Sequence, residues 1–271
     1  MAAGARTILA ALLLIFPLTA VAGAAAPVTE LRVGYLDHPG AALCLVAADK
    51  GYFKAEGVAV RLVRFGDTAE GLAALVAGKI GLGALAVGET LRQIADGKGL
   101  RIIGGGGTEL TADPLAELDE TAVRKLENDG IVVVVAEGRR APGRETMTRF
   151  VTGLIRAHQA LLKEPLEAWR QVTSHVSAPA TPGAVHFDPN ADYRRMERLW
   201  RSANLQGEGR PRDFLASHVY EEIYCDALDR LVDRDGLQDE VLQKLFREAV
   251  CVPDCCPADS RKQNKTKGGS S

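Results

Sequence analysis

Three short segments that follow predicted strands contain the side chains of this 271-residue chain that are best suited to binding a small molecule. The first is Asp37-His38-Pro39-Gly40, the second is Gly66-Asp67-Thr68, and the third spans residues 84–88. In open parallel sheets, ligands bind where such loops meet helix N-termini, beyond the carboxyl ends of the strands. The members of the predicted ligand-binding site are Asp37, His38, Pro39, Gly66, Asp67, Thr68, Ala84 and Leu85.

Asp67 and Thr68 support two interpretations. Either residue can cap the helix that begins there, because aspartate and threonine oxygens accept hydrogen bonds from the first free backbone N–H groups. The same position can also contact a ligand. Asp37 and Asp67 are both carboxylates and would repel an anion, so a cationic, zwitterionic or metal ligand is compatible with them.

Four of the five cysteines lie in the last 47 residues. In an exported chain such a group is expected to form disulfides, with a bridge from Cys225 to Cys251, Cys255 or Cys256 as the leading interpretation. The alternative is that Cys251, Cys255 and Cys256 hold a soft metal or exchange disulfides. Elsewhere the sequence predicts no metal site and no cofactor. Cys44 occupies an apolar helix position and is predicted to belong to the core.

The sequence contains no recognisable catalytic motif. The histidines at 158, 175, 186 and 218 fall on separate elements, and no nucleophile elbow, phosphate loop or carboxylate pair is present. The glycine run at 104–107 does not have the spacing of a phosphate loop and is interpreted as a hinge or a truncation scar. These observations favour a binding protein over an enzyme.

Residues 1–26 have the pattern of a secretory signal peptide. A single positive charge at Arg6 precedes an apolar run at 8–22 and a series of small residues. An uncleaved anchor helix is the alternative. The pattern predicts a periplasmic or secreted protein. The net charge of −2 and the 5% aromatic content give no reason to expect a nucleic-acid partner.

The elements that must position these segments alternate between strands and helices. The predicted strands are residues 31–36, 58–63, 80–85 and 100–103, with helices at 41–54, 68–76 and 87–95 between them. Such alternation is typical of βαβ units with a parallel sheet. The β-branched run at 131–135 predicts a further buried strand. Helices are predicted near 115–126 and at 144–162, 164–172, 192–204, 220–232 and 237–249.

A series of motifs in the first half carries a family resemblance. The motifs are Lys50-Gly-Tyr-Phe-Lys54, Phe65-Gly-Asp-Thr-Ala69 and Leu75-Val-Ala-Gly-Lys-Ile-Gly-Leu-Gly83. In this order they resemble the start of periplasmic substrate-binding proteins of the nitrate, sulfonate, taurine and thiamine-precursor class of ABC importers. The resemblance implies a type 2 periplasmic binding fold, a small-molecule ligand and an ABC permease as partner. It also makes Thr68 the best counterpart of a ligand-binding hydroxyl.

A second block resembles the segment in which that family returns to its first lobe. It comprises the strand at 131–135 and the stretches 148–158 and 163–168. In the family, most of a second lobe separates the two blocks, whereas here only about 27 residues, 104–130, lie between them. The resemblance therefore implies an α/β fold with a shortened or missing second lobe. The face left bare would be available to a protein partner.

The predicted organisation has five parts. They are a signal peptide at 1–26, an α/β binding lobe at 27–173 with its reduced insertion at about 104–130, a linker at 174–191, a helical part at 192–250 and a cysteine-containing tail at 251–271. The predicted function is that of an exported solute-binding protein of an ABC-type importer. The alternatives are a metal- or redox-handling protein that uses the C-terminal cysteines, and an interaction module without a ligand.

Overall fold

The chain forms a five-stranded sheet flanked by helices. The computed structural model describes residues 30–109, 130–138, 141–177, 185–191, 193–202, 205, 210–236 and 238–248. The strands of the main sheet are β1 (Leu31–Leu36), β2 (Val60–Phe65), β3 (Leu82–Ala86), β4 (Leu100–Gly105) and β6 (Ile131–Ala136). Their order across the sheet is β2-β1-β3-β6-β4. A second sheet of two short strands pairs β5 (Gly107–Glu109) with β7 (Val185–Phe187).

Helices cover the main sheet and fill the second half of the chain. They are α1 (Ala42–Asp49), α2 (Tyr52–Ala55), α3 (Thr68–Val76), α4 (Val87–Ala95), α5 (Arg144–Lys163), α6 (Pro165–Thr173), α7 (Tyr193–Ser202), α8 (Pro211–Ala216), α9 (Glu221–Asp235) and α10 (Glu240–Glu248). Within the described ranges, none of these helices has the length and apolar character needed to span a bilayer. The helix predicted near 115–126, the signal peptide and the cysteine tail lie outside the described residues.

The main sheet is mostly parallel, as predicted, with one antiparallel strand. β1 pairs in parallel with β2 and β3, as expected for βαβ units. β6 runs antiparallel between β3 and β4. Its residues from Ile131 to Val135 are all buried, so the continuous apolar run correctly indicates a central strand. Periodicity carries no information on strand direction, and for this reason the antiparallel insertion was not foreseen.

Helix α5 packs against the sheet and holds α1 and α2 in place. The rings of Phe150 and Phe53 stack with their centroids 4.5 Å apart. Gly153, one turn further along α5, allows this contact, since a Cβ atom there would lie 2.6 Å from the Phe53 ring. The helices α1 and α2, which follow the first predicted ligand segment, are therefore closely packed against α5.

A buried carboxylate fastens the C-terminal helices to this layer. Glu56, which follows α2, has a fully buried side chain. Its carboxylate lies 2.7 Å from Arg234 and 3.1 Å from Arg230 of α9, and 3.6 Å from Arg156 of α5. Because a buried charge is costly unless it is paired, this network ties α2, α5 and α9 together.

The glycine run at 104–107 contributes residues to the strands β4 and β5. The interpretation of this run as a hinge or a truncation scar is therefore wrong, and close packing explains the need for glycine. A Cβ atom at Gly105 would lie 2.2 Å from the backbone oxygens of Asp188 and Asn190. Only glycine therefore allows the chain at 188–190 to approach β4 this closely. Residues 185–187, which the sequence assigned to a linker, form β7 and pair with β5.

Candidate functional site

The three predicted ligand segments meet at one edge of the main sheet. In the register of β1 and β2, Leu36 lies opposite Phe65, so the segments after these strands are neighbours. The segment after β3 adjoins them, because β3 pairs in parallel with β1 on its other side. This edge, at the carboxyl ends of β1, β2 and β3, is called the ligand edge below.

The first segment is covered by the protein's own chain. His38 Nδ1 accepts a hydrogen bond of 3.0 Å from the backbone N–H of Gly40, and this contact begins a short 3-10 turn. Pro39 and Gly40 are buried. A Cβ atom at Gly40 would lie 2.6 Å from the carbonyl oxygen of Gly107 in β5. The start of the first helix therefore faces the β5–β7 ribbon.

The third segment is also closed. Ala84 and Leu85, two predicted site residues, have fully buried side chains. Leu85 packs against Gly71 of α3, where a Cβ atom would lie 2.5 Å from a leucine methyl. The N–H of Val87 donates a hydrogen bond of 2.8 Å to the carbonyl of Gly130, which precedes β6. The two ends of the 104–130 segment thus cover the first and third loops.

The second segment is the open part of the ligand edge. Gly66 and Asp67 are exposed, and Thr68 is half-buried. Asp67 caps α3, because its carboxylate accepts a hydrogen bond of 2.8 Å from the backbone N–H of Glu70. The prediction of a helix cap is confirmed at Asp67. A role of Gly66 and Thr68 in ligand binding stays a prediction.

Asp37 belongs to a polar cluster that the sequence did not predict. Its Oδ1 accepts a hydrogen bond of 2.8 Å from the backbone N–H of Ser177, and its Oδ2 accepts one of 2.6 Å from the Ser177 hydroxyl. Arg64, at the end of β2, donates to Asp37 and, at 2.8 Å, to the Ser177 hydroxyl. The hydroxyl hydrogen bond, the Ser177 N–H and the Arg64 guanidinium together lower the pKa of Asp37 below its ordinary value.

Ser177 reaches Asp37 at the end of a short segment after α6, residues 174–177, called the strap below. His175 Nε2 lies 2.9 Å from a carboxylate oxygen of Asp49, at the end of α1. Val176 is buried. The strap is therefore anchored at three successive residues and crosses from α1 to the ligand edge. Residue 64 lies two positions before a predicted site residue, but nothing local in the sequence connects Ser177 with Asp37.

The described residues offer no alternative metal centre. No group of three or more His, Cys, Asp or Glu side chains in these ranges is arranged to hold a metal ion. Cys44 is buried in α1, and burial raises the pKa of its thiol to about 12, in agreement with a core position. Cys251, Cys255 and Cys256 lie outside the described residues, so the metal and disulfide interpretations stay predictions.

A small cavity of about 300 Å³ lies at the opposite edge of the sheet. It is bounded by the end of α3, by the start of β3 and by the segment after β6, which includes Glu137. The carboxylate of Glu137 is paired with Arg101 at 2.7 Å. The cavity thus lies away from the ligand edge, and its one charged lining residue already has a partner.

The amino-acid sequence was compared with protein families and with curated proteins. The sequence profile of the NMT1-like family matches residues 24–121, a range that includes all three segments of the ligand edge. A comparison with curated protein sequences gives no match. The NMT1-like match agrees with the resemblance carried by the motifs of the first half.

Solved structures extend the likeness over most of the chain. The periplasmic nitrate-binding protein NrtA from Synechocystis is 10% identical, with a TM-score of 0.56 over 79% of this chain and 92% of its own. The Candida albicans CA3427 gene product is 12% identical, with a TM-score of 0.52 over 70% and 95%. A zinc-bound ligand-binding component of an ABC-type import system from Staphylococcus aureus is 11% identical, with a TM-score of 0.52 over 73% and 98%. The chain therefore has the mixed α/β fold of periplasmic binding proteins, and the predicted fold class is confirmed.

Proposed function

We propose that this protein is the solute-binding component of an ABC-type importer, that it works outside the cytoplasmic membrane, and that it is not an enzyme. The observation that carries the proposal is that the region matched by the family profile contains the three predicted ligand segments. The NMT1-like match covers the strands and loops of the ligand edge, and two structural neighbours are described as a nitrate-binding protein and as part of an import system. The signal-peptide pattern at 1–26 supports the location.

The proposed ligand lies at the open part of the ligand edge, between the second segment and the Asp37 cluster. Thr68 supplies a hydroxyl and Gly66 an accessible backbone N–H at the start of α3. Asp37 supplies a carboxylate that is partly exposed. Of the other predicted members, Asp67 caps α3, and the remaining four are buried or half-buried. These four are His38, Pro39, Ala84 and Leu85.

The proposed partners are a small solute and a permease. A protein partner on the face left by the reduced lobe stays a prediction. A shallow site of this kind buries less of its ligand than an enclosed one, so modest affinity is expected.

Thermal denaturation of the purified protein in the presence of solutes tests the proposal. The solutes should include nitrate, alkyl sulfonates, pyrimidines, amino acids and divalent metals. A ligand present at about 100 times its Kd stabilises the folded state by about 2.7 kcal/mol, which corresponds to a rise in Tm of roughly 5–10 °C for a chain of this size. At least one solute class should produce a shift of that order, and titration calorimetry should give a single site.

A pair of threonine variants then locates the site. Thr68→Ala should weaken binding of that solute about tenfold, as expected for the loss of one hydrogen bond. Thr146→Ala is the matched control, because Thr146 is also half-buried in the first turn of a helix but follows β6 at the opposite edge. If Thr68→Ala and Thr146→Ala bind the solute with equal affinity, the ligand does not bind at the ligand edge. If no solute class shifts the Tm, the proposed function is wrong.

A further inference from the structure

We propose that the edge of the main sheet opposite the ligand edge is a surface that binds reversibly to anionic phospholipid headgroups. This edge, called the base edge below, comprises the chain where β1 to β4 begin and where β6 ends, which is residues 30–32, 57–61, 77–82, 96–101 and 136–138. The inference does not depend on what the ligand edge binds, and its test requires no solute.

The base edge has an excess of positive charge. Its five basic side chains are Arg32, Arg61, Lys79, Lys98 and Arg101, and its three carboxylates are Glu30, Asp96 and Glu137. Its net charge is therefore +2, whereas the whole chain has a net charge of −2. Within the described ranges, Arg32, Lys79 and Lys98 are exposed and make no ion pair. A weakly acidic chain thus has a local surplus of cations that attracts an anionic partner.

Two of the unpaired cations lie beside the cavity of about 300 Å³ at this edge. Lys79 stands between Gly78 and Ile80, which both line the cavity. The carbonyl of Arg32 accepts a hydrogen bond of 2.8 Å from the N–H of Gly81, which is a further lining residue. The start of β1 and the start of β3 therefore bring these two charges to the same part of the rim.

The third unpaired cation lies across the cavity. Lys98 precedes Gly99, and the carbonyl of Gly99 accepts a hydrogen bond of 2.8 Å from the N–H of Glu137. Glu137 is the one carboxylate that lines the cavity, and Arg101 lies 2.7 Å from it and offsets its charge. The cavity is therefore surrounded by cations whose charge is not cancelled at the rim.

The centre of this ring of cations is apolar. Val76, at the end of α3, lines the cavity and is 60% exposed. It is one of three large apolar side chains in the described part of the chain that are exposed. The other apolar lining residues are Leu75, Ile80, Ala136 and Ala141. Surfaces that lie in the headgroup region of a bilayer combine apolar side chains with Lys and Arg in this way, since the cations attract anionic lipids.

The position of the N-terminal apolar run favours a membrane over an acidic protein as the partner. The run at 8–22, for which an anchor helix is the alternative interpretation, precedes β1 and so joins the described chain at the base edge. Eight positions separate residue 22 from Glu30, and they span at most about 30 Å. An anchor helix in that run would keep the base edge within this distance of the bilayer. No comparable link in the described residues favours an acidic protein.

Sedimentation of the full chain with lipid vesicles tests the inference. Vesicles of phosphatidylcholine alone are compared with vesicles that also contain phosphatidylglycerol, whose headgroup is anionic. Each cation close to an anionic surface strengthens binding about fivefold, so three unpaired cations should give at least a tenfold preference for the anionic vesicles. The preference should disappear at about 1 M salt, because the Debye length is then only about 3 Å.

Charge-reversal variants locate the surface. Lys79→Glu combined with Lys98→Glu should weaken binding to anionic vesicles at least tenfold, with an unchanged Tm because both side chains are exposed. Lys79→Arg combined with Lys98→Arg preserves the charge and should retain the binding. Val76→Asp should also weaken it, because a carboxylate replaces the apolar group at the rim.

A second pair of reversals is the matched control. Arg170→Glu combined with Arg247→Glu changes the net charge by the same amount at two exposed side chains. These residues lie in α6 and α10, which adjoin the C-terminal end of α5, whereas the N-terminal end of α5 follows β6 at the base edge. The control should bind anionic vesicles as strongly as the unaltered protein.

Four results would overturn the inference. The first is that neither kind of vesicle binds the full chain. The second is equal binding to both kinds that the reversals at Lys79 and Lys98 do not change, because the apolar run at 8–22 then accounts for it. The third is an equal loss in the control pair, since binding then depends on net charge and not on this edge. The fourth is binding of polyglutamate without binding of anionic vesicles, which makes the partner an acidic protein. None of these results bears on the solute titrations, so the proposed function is tested separately.

Discussion

Protonation of one buried histidine should make the protein sensitive to acid. His158 lies on α5 and is 8% exposed, and its Nδ1 atom has no hydrogen-bond partner in the described part of the chain. Burial, together with the nearby positive charges of His186 and Lys244, lowers the pKa of His158 from 6.5 to about 4. The folded protein therefore binds this proton far less readily than the unfolded chain does.

The size and sign of the effect follow from linkage. Well above pH 6.5, at pH 7.5 and higher, His158 is almost entirely neutral in both states and contributes little pH dependence. Between pH 6.5 and pH 4 only the unfolded chain takes up the proton, so the free energy of unfolding falls as the pH is lowered. The full loss below pH 4 is about 3 kcal/mol, and the part lost between pH 7.5 and pH 5 is about 2 kcal/mol.

Urea denaturation at pH 7.5 and pH 5 measures this loss. Other groups titrate over the same interval, so the comparison is between the unaltered protein and His158→Leu, which has no proton to bind. The variant should lose about 2 kcal/mol less on acidification than the unaltered protein. Leu161→Ala, at a buried position of the same helix that has no titratable group, is the control and should retain the original pH dependence. An equal loss in the unaltered protein and His158→Leu would refute the argument.

Three further predictions concern the framework of the site. Glu56→Ala should destabilise the fold by about 1.5–3 kcal/mol in urea denaturation, because Arg230 and Arg234 lose charged hydrogen bonds to a buried carboxylate but stay partly exposed. Glu145→Ala is the control, because the Glu145 side chain is 62% exposed, and it should lower the free energy of unfolding by less than about 1 kcal/mol. Equal losses of stability in the two variants would contradict the view that burial makes the Glu56 contacts important. Gly105→Ala should separate β5 and β7 from β4 and increase hydrogen exchange at β7, and unchanged exchange would contradict the close approach to Asp188. Cys44 should resist iodoacetamide at pH 8 in the folded protein and react in urea, as judged by peptide mass spectrometry, because its thiol is buried and protonated. Rapid labelling without urea would show that Cys44 is accessible.

Local sequence patterns predicted most strands and helices of the first half with small errors at the ends. The helix predicted at 41–54 is wrong in one respect: it is divided into α1 and α2 at Gly51, whose φ of 72° lies in the left-handed region. Alternation and glycine stops located β1 to β4 and the helices between them, because each of these signals depends on a few neighbouring residues. The β5–β7 ribbon was missed. Its strands have three residues each and are separated by 75 positions, so neither periodicity nor a hairpin turn marks the pairing.

The position of the three predicted segments was found for the same reason, while their role in ligand binding stays a prediction. The loops after β1, β2 and β3 were correctly brought to one edge, since parallel strands end together. The sequence could not show that Ala84 and Leu85 point into the core or that Gly107 closes the first loop. These contacts depend on how distant segments pack, and that information is spread over the whole chain.

The charge of Asp37 shows how one long-range contact changes the expected ligand. From the sequence, Asp37 and Asp67 together disfavour every anion, which leaves cations, zwitterions and metals open. In the structure, Arg64 balances Asp37, and Asp67 is used as a cap. The Asp37 carboxylate is thereby offset within the protein and no longer disfavours an anion as the sequence alone suggested. Ser177, 140 positions away from Asp37, donates to Asp37 and accepts from Arg64, so a contact that no local pattern indicates already uses the polar groups of both side chains.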